Sequence, residues 1–130
     1  MYKQVSDSIE IAVLPEYLEE HSDPEAQHFV WGYTIHIRNL GKQSVQLLNR
    51  HWKIVDAQGR VEEVHGAGVV GEQPTLRPGE EFAYSSHTVL RTPSGFMAGS
   101  YDLIDARGTS VQAEIPAFSL DCPDDIITIN

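Results

Sequence analysis

Three glycines, Gly66, Gly68 and Gly71, follow GxGxxG spacing. This spacing can bind the pyrophosphate of a dinucleotide when a helix begins at the third glycine, because the helix N-terminus presents aligned N–H groups. Here Pro74 and Pro78 follow closely, and proline is incompatible with a helix interior. We therefore predict an irregular loop from Gly66 to Pro74 that joins two β-segments and whose amides are not aligned to hold a diphosphate. This glycine loop either has a structural role or contacts a ligand directly.

Metal coordination is a second candidate chemistry, because the chain has six histidines. None lies in a tight pair such as HxxxH, so the ligands of a site would have to come together across a sheet. His51 and His65 flank a predicted hairpin and could face each other across it, which makes them the preferred ligands for Co²⁺ or Mg²⁺. The alternative is that each histidine is solvated or hydrogen-bonded.

Anion binding is a third candidate chemistry. Arg50, Arg60 and Arg77 lie near the glycine loop in the sequence, and with free loop N–H groups they could bind a nucleotide polyphosphate or pyrophosphate. Glu72 would oppose an anion there. The alternative is that the three arginines are solvated charges on strands.

Nucleophilic catalysis is not predicted. Ser85, Ser86 and Ser100 lack the GxSxG turn that activates a serine, and Cys122 has no basic neighbour in the sequence that would favour its thiolate. We therefore expect a protein that is not an enzyme.

The composition favours one soluble domain over residues 1–130, with a core from about 8 to 120 and a tail from 121 to 130. There is no long apolar run, so membrane insertion is not expected. The formal net charge of −10 argues against nucleic-acid binding and favours a basic partner or a metal cation, or it serves solubility alone. The first residues lack the apolar segment of a signal peptide, and one cysteine forms no internal disulfide, which predicts a cytoplasmic location.

Alternating apolar residues predict the strands that would position these groups. The alternation is clearest from Phe29 to Asn39, and a shorter run from Ser8 to Leu14 should end at Pro15. From Val45 to Asp56 the apolar positions change phase, which predicts a β-bulge near Leu48. Further strands are expected at 60–65, 81–88, 99–105 and 110–120, the last bulged or broken at Pro116, with turns at 56–59 and 106–109 and a loop from 16 to 27.

About seven strands with regularly spaced turns and no helical period predict an all-β fold. The expected architecture is an antiparallel two-sheet sandwich of the immunoglobulin or fibronectin type III kind. Trp52 should lie in its core. Tyr101, in the sequence Gly99-Ser100-Tyr101, should form a tyrosine corner whose phenol anchors the preceding crossover.

Several motifs together resemble the ApaG family, over about Ser8 to Leu120. They are Tyr33-Thr34-Ile35-His36-Ile37 with Asn39, Arg50-His51-Trp52, the run from Gly66 to Pro74, Pro78-Gly79-Glu80 and Gly99-Ser100-Tyr101. One departure is His87, which stands where the family's Tyr-x-Ser-Gly pattern has glycine. The resemblance implies the same sandwich fold, an association with cobalt and magnesium resistance or efflux, and a use as a protein-interaction module in eukaryotic relatives.

These observations predict a non-enzymatic cytoplasmic module that binds an unidentified protein partner through the glycine loop. An exposed pair, Val69 and Val70, would supply the apolar contact inside a polar rim. The alternative is a small-ligand sensor for a divalent metal or a nucleotide polyphosphate. The predicted binding residues are Arg50, His51, Trp52, Gly66, Gly68, Val69, Val70, Gly71, Glu72 and Arg77.

Overall fold

The computed structural model describes residues 1–123, which form nine β-strands. These are β1 (Tyr2–Ser6), β2 (Ile9–Tyr17), β3 (Phe29–Asn39), β4 (Val45–Asp56), β5 (Val61–Ala67), β6 (Thr75–Leu76), β7 (Glu81–Leu90), β8 (Ser94–Asp105) and β9 (Ser110–Asp121). Two short 3-10 turns, Glu19–His21 and Pro24–Ala26, lie in the loop between β2 and β3. No helix in this part of the chain has the length and apolarity needed to cross a bilayer.

The strands form two antiparallel sheets, which confirms the predicted all-β class and two-sheet architecture. One sheet has the order β1-β2-β3-β7, and the other has the order β5-β4-β8-β9 with β6 paired to β4. The predicted count of about seven strands is wrong, because β1 and β6 were not expected. Most of β1 is exposed and shows no alternation, and β6 has only two residues, so neither carries a period-two pattern.

Proline does not end the second strand as predicted, since β2 continues through Pro15 to Tyr17. Strand β1 pairs with β2 only as far as Val13, so Pro15 lies where one side of β2 has no neighbouring strand. Proline is tolerated at such an edge because its missing N–H interrupts no ladder.

Both predicted bulges are confirmed. In β4 the pairing passes from Leu47 opposite Leu103 to Asn49 opposite Asp102, so Leu48 is the extra residue. In β9 the register shifts around Pro116, because Met97 of β8 is opposite Phe118 whereas Gly99 is opposite Ile115. The bulge in β4 places the Leu48 carbonyl group beside the glycine loop.

The core lies between the sheets and is rich in aromatic rings. Trp52 is 4% exposed, as predicted, and its ring centroid lies 6.0 Å from that of Phe118. Tyr101 is fully buried, but its phenol is hydrogen-bonded to the phenol of Tyr84 on the opposite sheet. The tyrosine-corner prediction is therefore wrong about the partner, because this phenol joins the two sheets instead of anchoring a crossover.

One side of the sandwich is closed and the other is open. On the closed side β1 packs on β9, where the Ser119 amide donates to the Tyr2 hydroxyl oxygen at 3.3 Å and the Glu114 amide donates to Ser6 Oγ at 3.3 Å. On the open side the outer strands of the two sheets are β5 and β7. This opening, which we call the inter-sheet mouth, borders the glycine loop.

The end of β9 is held in place by the core. The indole N–H of Trp31 donates to the Asp121 carbonyl oxygen at 2.9 Å, and Cys122 is 4% exposed. The first two residues of the predicted tail, Asp121 and Cys122, are therefore part of the folded sandwich. Residues 124–130 of the predicted tail lie outside the described part of the chain.

Candidate functional site

The glycine loop makes a tight β-turn. The Val69 N–H donates to the Glu72 carbonyl oxygen at 2.8 Å, and the Glu72 N–H donates to the Val69 carbonyl oxygen at 2.9 Å. Both central residues have positive φ, 45° at Val70 and 79° at Gly71, which is the pattern of a type I′ turn. No helix begins at Gly71, so the prediction of a non-helical loop between two β-segments is confirmed.

Hydrogen bonds fix the loop to the bulge of β4. The Leu48 carbonyl oxygen accepts from the Gly68 N–H at 2.8 Å and from Gln73 Nε2 at 2.9 Å. The Leu47 N–H donates to the Pro74 carbonyl oxygen at 3.0 Å. The loop is therefore a preorganised part of the sandwich.

The two valines of the turn have opposite environments. Val69 is fully buried in the core, whereas Val70 is 64% exposed. The prediction that both valines are exposed is wrong for Val69, because the type I′ turn directs one side chain inward. A substitution such as Val69→Asp therefore tests the core, and only Val70 is available to a partner.

Arg50 lies beneath the loop. Its Nη1 atom donates to the carbonyl oxygens of Ala67 and Gly68, at 3.1 and 3.0 Å. Within residues 1–123 no carboxylate lies within 4.0 Å of this guanidinium. Among residues 1–123, the groups that accept hydrogen bonds from this guanidinium are therefore backbone carbonyl oxygens.

The inter-sheet mouth is a cleft of about 320 Å³ beside Arg50. Apolar and aromatic side chains dominate its wall, together with one arginine and a few hydroxyl or imidazole groups. Its lining residues are Tyr33, Arg50, Trp52, Ile54, Val64, Val69, Val70, Tyr84, Ser86, His87, Thr88 and Met97.

Three tyrosines lie at or behind the mouth. Burial raises the pKa of the Tyr33, Tyr84 and Tyr101 phenols above the ordinary value of 10.0. These phenols therefore remain protonated near neutral pH and act as hydrogen-bonding groups instead of bases. The Tyr84–Tyr101 bond also fixes one wall of the cleft against the other sheet.

The other two predicted arginines are not part of the mouth. Arg60 Nε donates to Asp56 Oδ2 at 2.6 Å, and Arg77 Nη2 lies 3.3 Å from Glu80 Oε2. Desolvation opposes ionisation of Asp56, but hydrogen bonds from Arg60 and from the Gln58 amide hold its pKa below the usual range. Both arginines thus serve turns, and the three arginines do not form one cluster.

Strand alternation divides the Arg50-His51-Trp52 motif between two surfaces. Arg50 and Trp52 line the mouth, while His51 lies on the outer face of the five-stranded sheet, opposite His65 of β5. The two imidazole rings are stacked, with centroids 4.2 Å apart and planes inclined by 15°. The prediction that these histidines face each other across the hairpin is confirmed.

The sequence comparison agrees with this architecture. The ApaG domain family, DUF525, matches residues 19–105. The chain belongs to the ApaG domain family. Proteins named ApaG from Rhodospirillum centenum and Brucella anthropi are 58% and 52% identical to it, the first over 95% of each chain and the second over 100% of each.

Solved structures show the same ApaG fold. A crystal structure of a Bordetella pertussis protein named ApaA matches with a TM-score of 0.87 and 42% identity, covering 92% of this chain and 97% of that one. A second crystal structure matches with a TM-score of 0.86, also at 42% identity, over 93% of this chain and 92% of that one. The sandwich described above is therefore shared with solved relatives over nearly the whole chain.

Sequence reasoning did not find several residues of this ApaG domain that border the two surfaces. Tyr84, Ser86 and His87 enter the mouth from β7, and Glu63 joins the histidine pair from β5. The alternation of β7 predicts only that Phe82 and Tyr84 share a face. Nothing in the sequence showed that β7 faces β5 across an opening.

Proposed function

We propose that this ApaG domain is a non-enzymatic cytoplasmic module that docks a partner protein at the inter-sheet mouth, with Val70 as the exposed apolar contact. The family resemblance associates such domains with cobalt and magnesium resistance, and we place the docking event in that context. The observation that carries the proposal is the backbone conformation of Val70.

Valine is an unfavourable residue at this turn position. A β-branched side chain at a φ of 45° is strained, and asparagine or glycine would suit a type I′ turn better. Such strain costs on the order of 1–3 kcal/mol and often occurs at functional positions. Because Val70 is also 64% exposed, its side chain adds little to the core that would offset this cost. A contact with a partner would account for the choice of residue.

The mouth beside Val70 has the composition of a protein-binding surface. Tyrosine and arginine are enriched at interface centres, and the half-buried side chains of Tyr84 and Arg50 line this cleft in front of buried Tyr33. The chain as a whole carries a formal net charge of −10, and Glu72 is exposed in the turn itself. These features favour a partner that inserts an apolar or aromatic side chain and surrounds it with basic groups.

The test is a Val70→Asn variant compared with Val5→Asn. Val5 is 54% exposed on β1, on the closed side, so it controls for general loss of exposed apolar surface. We expect Val70→Asn to raise the melting temperature by relieving turn strain, and to lose the proteins that wild type and Val5→Asn both capture from a bacterial lysate. An unchanged set of captured proteins with Val70→Asn would contradict docking at the loop.

The nucleotide-polyphosphate alternative has less support. Arg60 and Arg77 each pair with a carboxylate, and Arg50 already donates to loop carbonyls. We expect ATP and diadenosine tetraphosphate to leave the amide resonances of Gly66, Gly68 and Gly71 unchanged in an NMR titration. Localised shifts at these amides would favour the nucleotide alternative instead.

A further inference from the structure

A compact group of metal-ligating side chains lies on the outer face of the five-stranded sheet. His51 on β4 is directly opposite His65 on β5, and Glu63 is two residues before His65 on the same face. One ligand atom from each of the three lies within 4.8 Å of the others. His51 Nε2 is 3.2 Å from Glu63 Oε1.

The group is accessible and its backbone positions are fixed. The side chains of His51 and Glu63 are 34% and 56% exposed, so an ion can reach them from solvent. The antiparallel pairing of β4 and β5 holds the three Cα positions. The ligand atoms lie within 4.8 Å of one another, and the stacked imidazole rings would have to rotate for all three side chains to reach the metal–ligand distances of about 2.0–2.2 Å that zinc sites show.

The donor set selects the kind of metal. Two imidazoles and one carboxylate suit first-row transition metals such as Co²⁺, Ni²⁺, Cu²⁺ and Zn²⁺. Magnesium prefers oxygen ligands in an octahedron and retains its waters, so this group does not fit Mg²⁺. We propose that His51, Glu63 and His65 form a surface site for one divalent first-row transition-metal ion, with water completing the coordination. The site is separate from the inter-sheet mouth and does not depend on the docking proposal.

Neighbouring side chains adjust the strength of this site. Lys53 is directly opposite Glu63 on the same face, so its ammonium group competes for the carboxylate and repels a cation. Beyond His51 across the sheet lie Ser100 on β8 and then Glu114 on β9. We therefore expect moderate affinity, and a fewfold tighter binding when Lys53 is replaced by glutamine.

The experiment uses full-length protein without a polyhistidine tag, titrated with Zn²⁺ and with Co²⁺ by calorimetry. We expect one ion per chain, with affinity at least tenfold weaker in His51→Gln and in His65→Gln and less affected in Glu63→Gln. The matched control is His36→Gln, because His36 pairs with Glu81 at the same 3.2 Å but has no second histidine opposite it. His36→Gln should bind like wild type.

A stability readout separates binding at this site from nonspecific adhesion. An ion that binds only the folded protein raises its melting temperature. Zn²⁺ should therefore raise the melting temperature of wild type and His36→Gln but not of His65→Gln, and millimolar Mg²⁺ should have no effect. Saturable binding that survives both His51→Gln and His65→Gln, or no saturable binding by wild type, would overturn the proposal. Circular dichroism of each variant without metal verifies that it is folded.

Discussion

Gly66, Gly68 and Gly71 share one sequence motif but have different surroundings. A Cβ atom on Gly68 would lie 2.2 Å from the Glu72 carbonyl oxygen, and the residue has a φ of +65°. A Cβ atom on Gly71 would meet nothing within 4 Å, although its φ is +79°. Only Gly68 is therefore required by close packing as well as by backbone conformation.

We expect Gly68→Ala to destabilise the protein by about 3 kcal/mol and Gly71→Ala by about 1 kcal/mol, because only the first adds a steric clash to the conformational cost. Urea denaturation of the two variants measures the difference. Equal losses of stability would show that the turn moves to accommodate Gly68→Ala.

The buried tyrosines should make the fold sensitive to alkali. Burial raises the pKa of the Tyr33, Tyr84 and Tyr101 phenols, so the native state keeps protons that the unfolded state loses above about pH 10. The contribution of these phenols to the free energy of unfolding is therefore complete below about pH 10. It should fall by about 1.4 kcal/mol per pH unit for each retained proton as the pH rises further.

Tyr84→Phe isolates this effect from the titration of lysines, which both proteins share. Its free energy of unfolding should fall less steeply between pH 10 and pH 11 than that of wild type, as measured by urea denaturation at each pH. Identical slopes would mean that Tyr84 ionises in the folded protein as readily as in the unfolded chain.

At the scale of elements, the bulge in β4 connects this strand to the glycine loop. Leu48 is the extra residue, and its carbonyl oxygen accepts from Gly68 and Gln73. Deleting Leu48 should leave a regular β4, because Leu47 and Asn49 already pair with consecutive residues of β8. The loop, however, would lose its main anchor.

We therefore expect the Leu48 deletion to fold, with faster hydrogen exchange at the Gly68 amide and little change at amides in the middle of β3. Two-dimensional NMR after transfer to D₂O measures both. Unchanged exchange at Gly68 would mean that Arg50 and Gln46 hold the loop without the bulge.

Most strands could be predicted because alternation and turn residues are local properties. Strand β3 is the clearest case, since its inward residues Phe29, Trp31, Tyr33, Ile35 and Ile37 are all buried. The bulge at Leu48 could also be predicted, because the apolar positions of β4 change from one face to the other there. Strands β1 and β6 could not be predicted, because β1 is mostly exposed and β6 has only two residues. Their pairing depends on tertiary contacts, which a local sequence pattern does not predict.

At the scale of the whole molecule, β1 closes one side of the sandwich. Tyr2 packs on Phe118 with ring centroids 6.0 Å apart, and two amides of β9 donate to hydroxyl oxygens of β1. Deleting residues 1–6 should lower the free energy of unfolding by about 3 kcal/mol, since it removes the contact of half-buried Tyr2 with Phe118 and the backbone pairing of β1 with β2.

The matched control for the truncation is Ser6→Ala, which removes one exposed acceptor and should cost no more than about 0.5 kcal/mol. Urea denaturation compares both with wild type. A truncated protein as stable as wild type would show that β1 adds no net stability to the two sheets.

The candidate site was less predictable than the fold. The His51–His65 pairing followed from one hairpin, so sequence spacing was enough to find it. The mouth lies between β5 of one sheet and β7 of the other, and no spacing in the sequence predicts that these two strands lie near each other. The burial of Val69 was missed for a related reason, because the direction of each side chain in a type I′ turn depends on how the turn is anchored.

The burial of Cys122 gives the molecule an internal probe of its own fluctuations. The thiol is 4% exposed, burial raises its pKa, and the Trp31 indole holds the carbonyl group of the preceding residue. A thiol-specific reagent should therefore react only when the end of β9 separates from the core. Trp31→Phe should speed that reaction, and its rate in the wild type would report how often the C-terminal strand opens while the remaining strands stay folded.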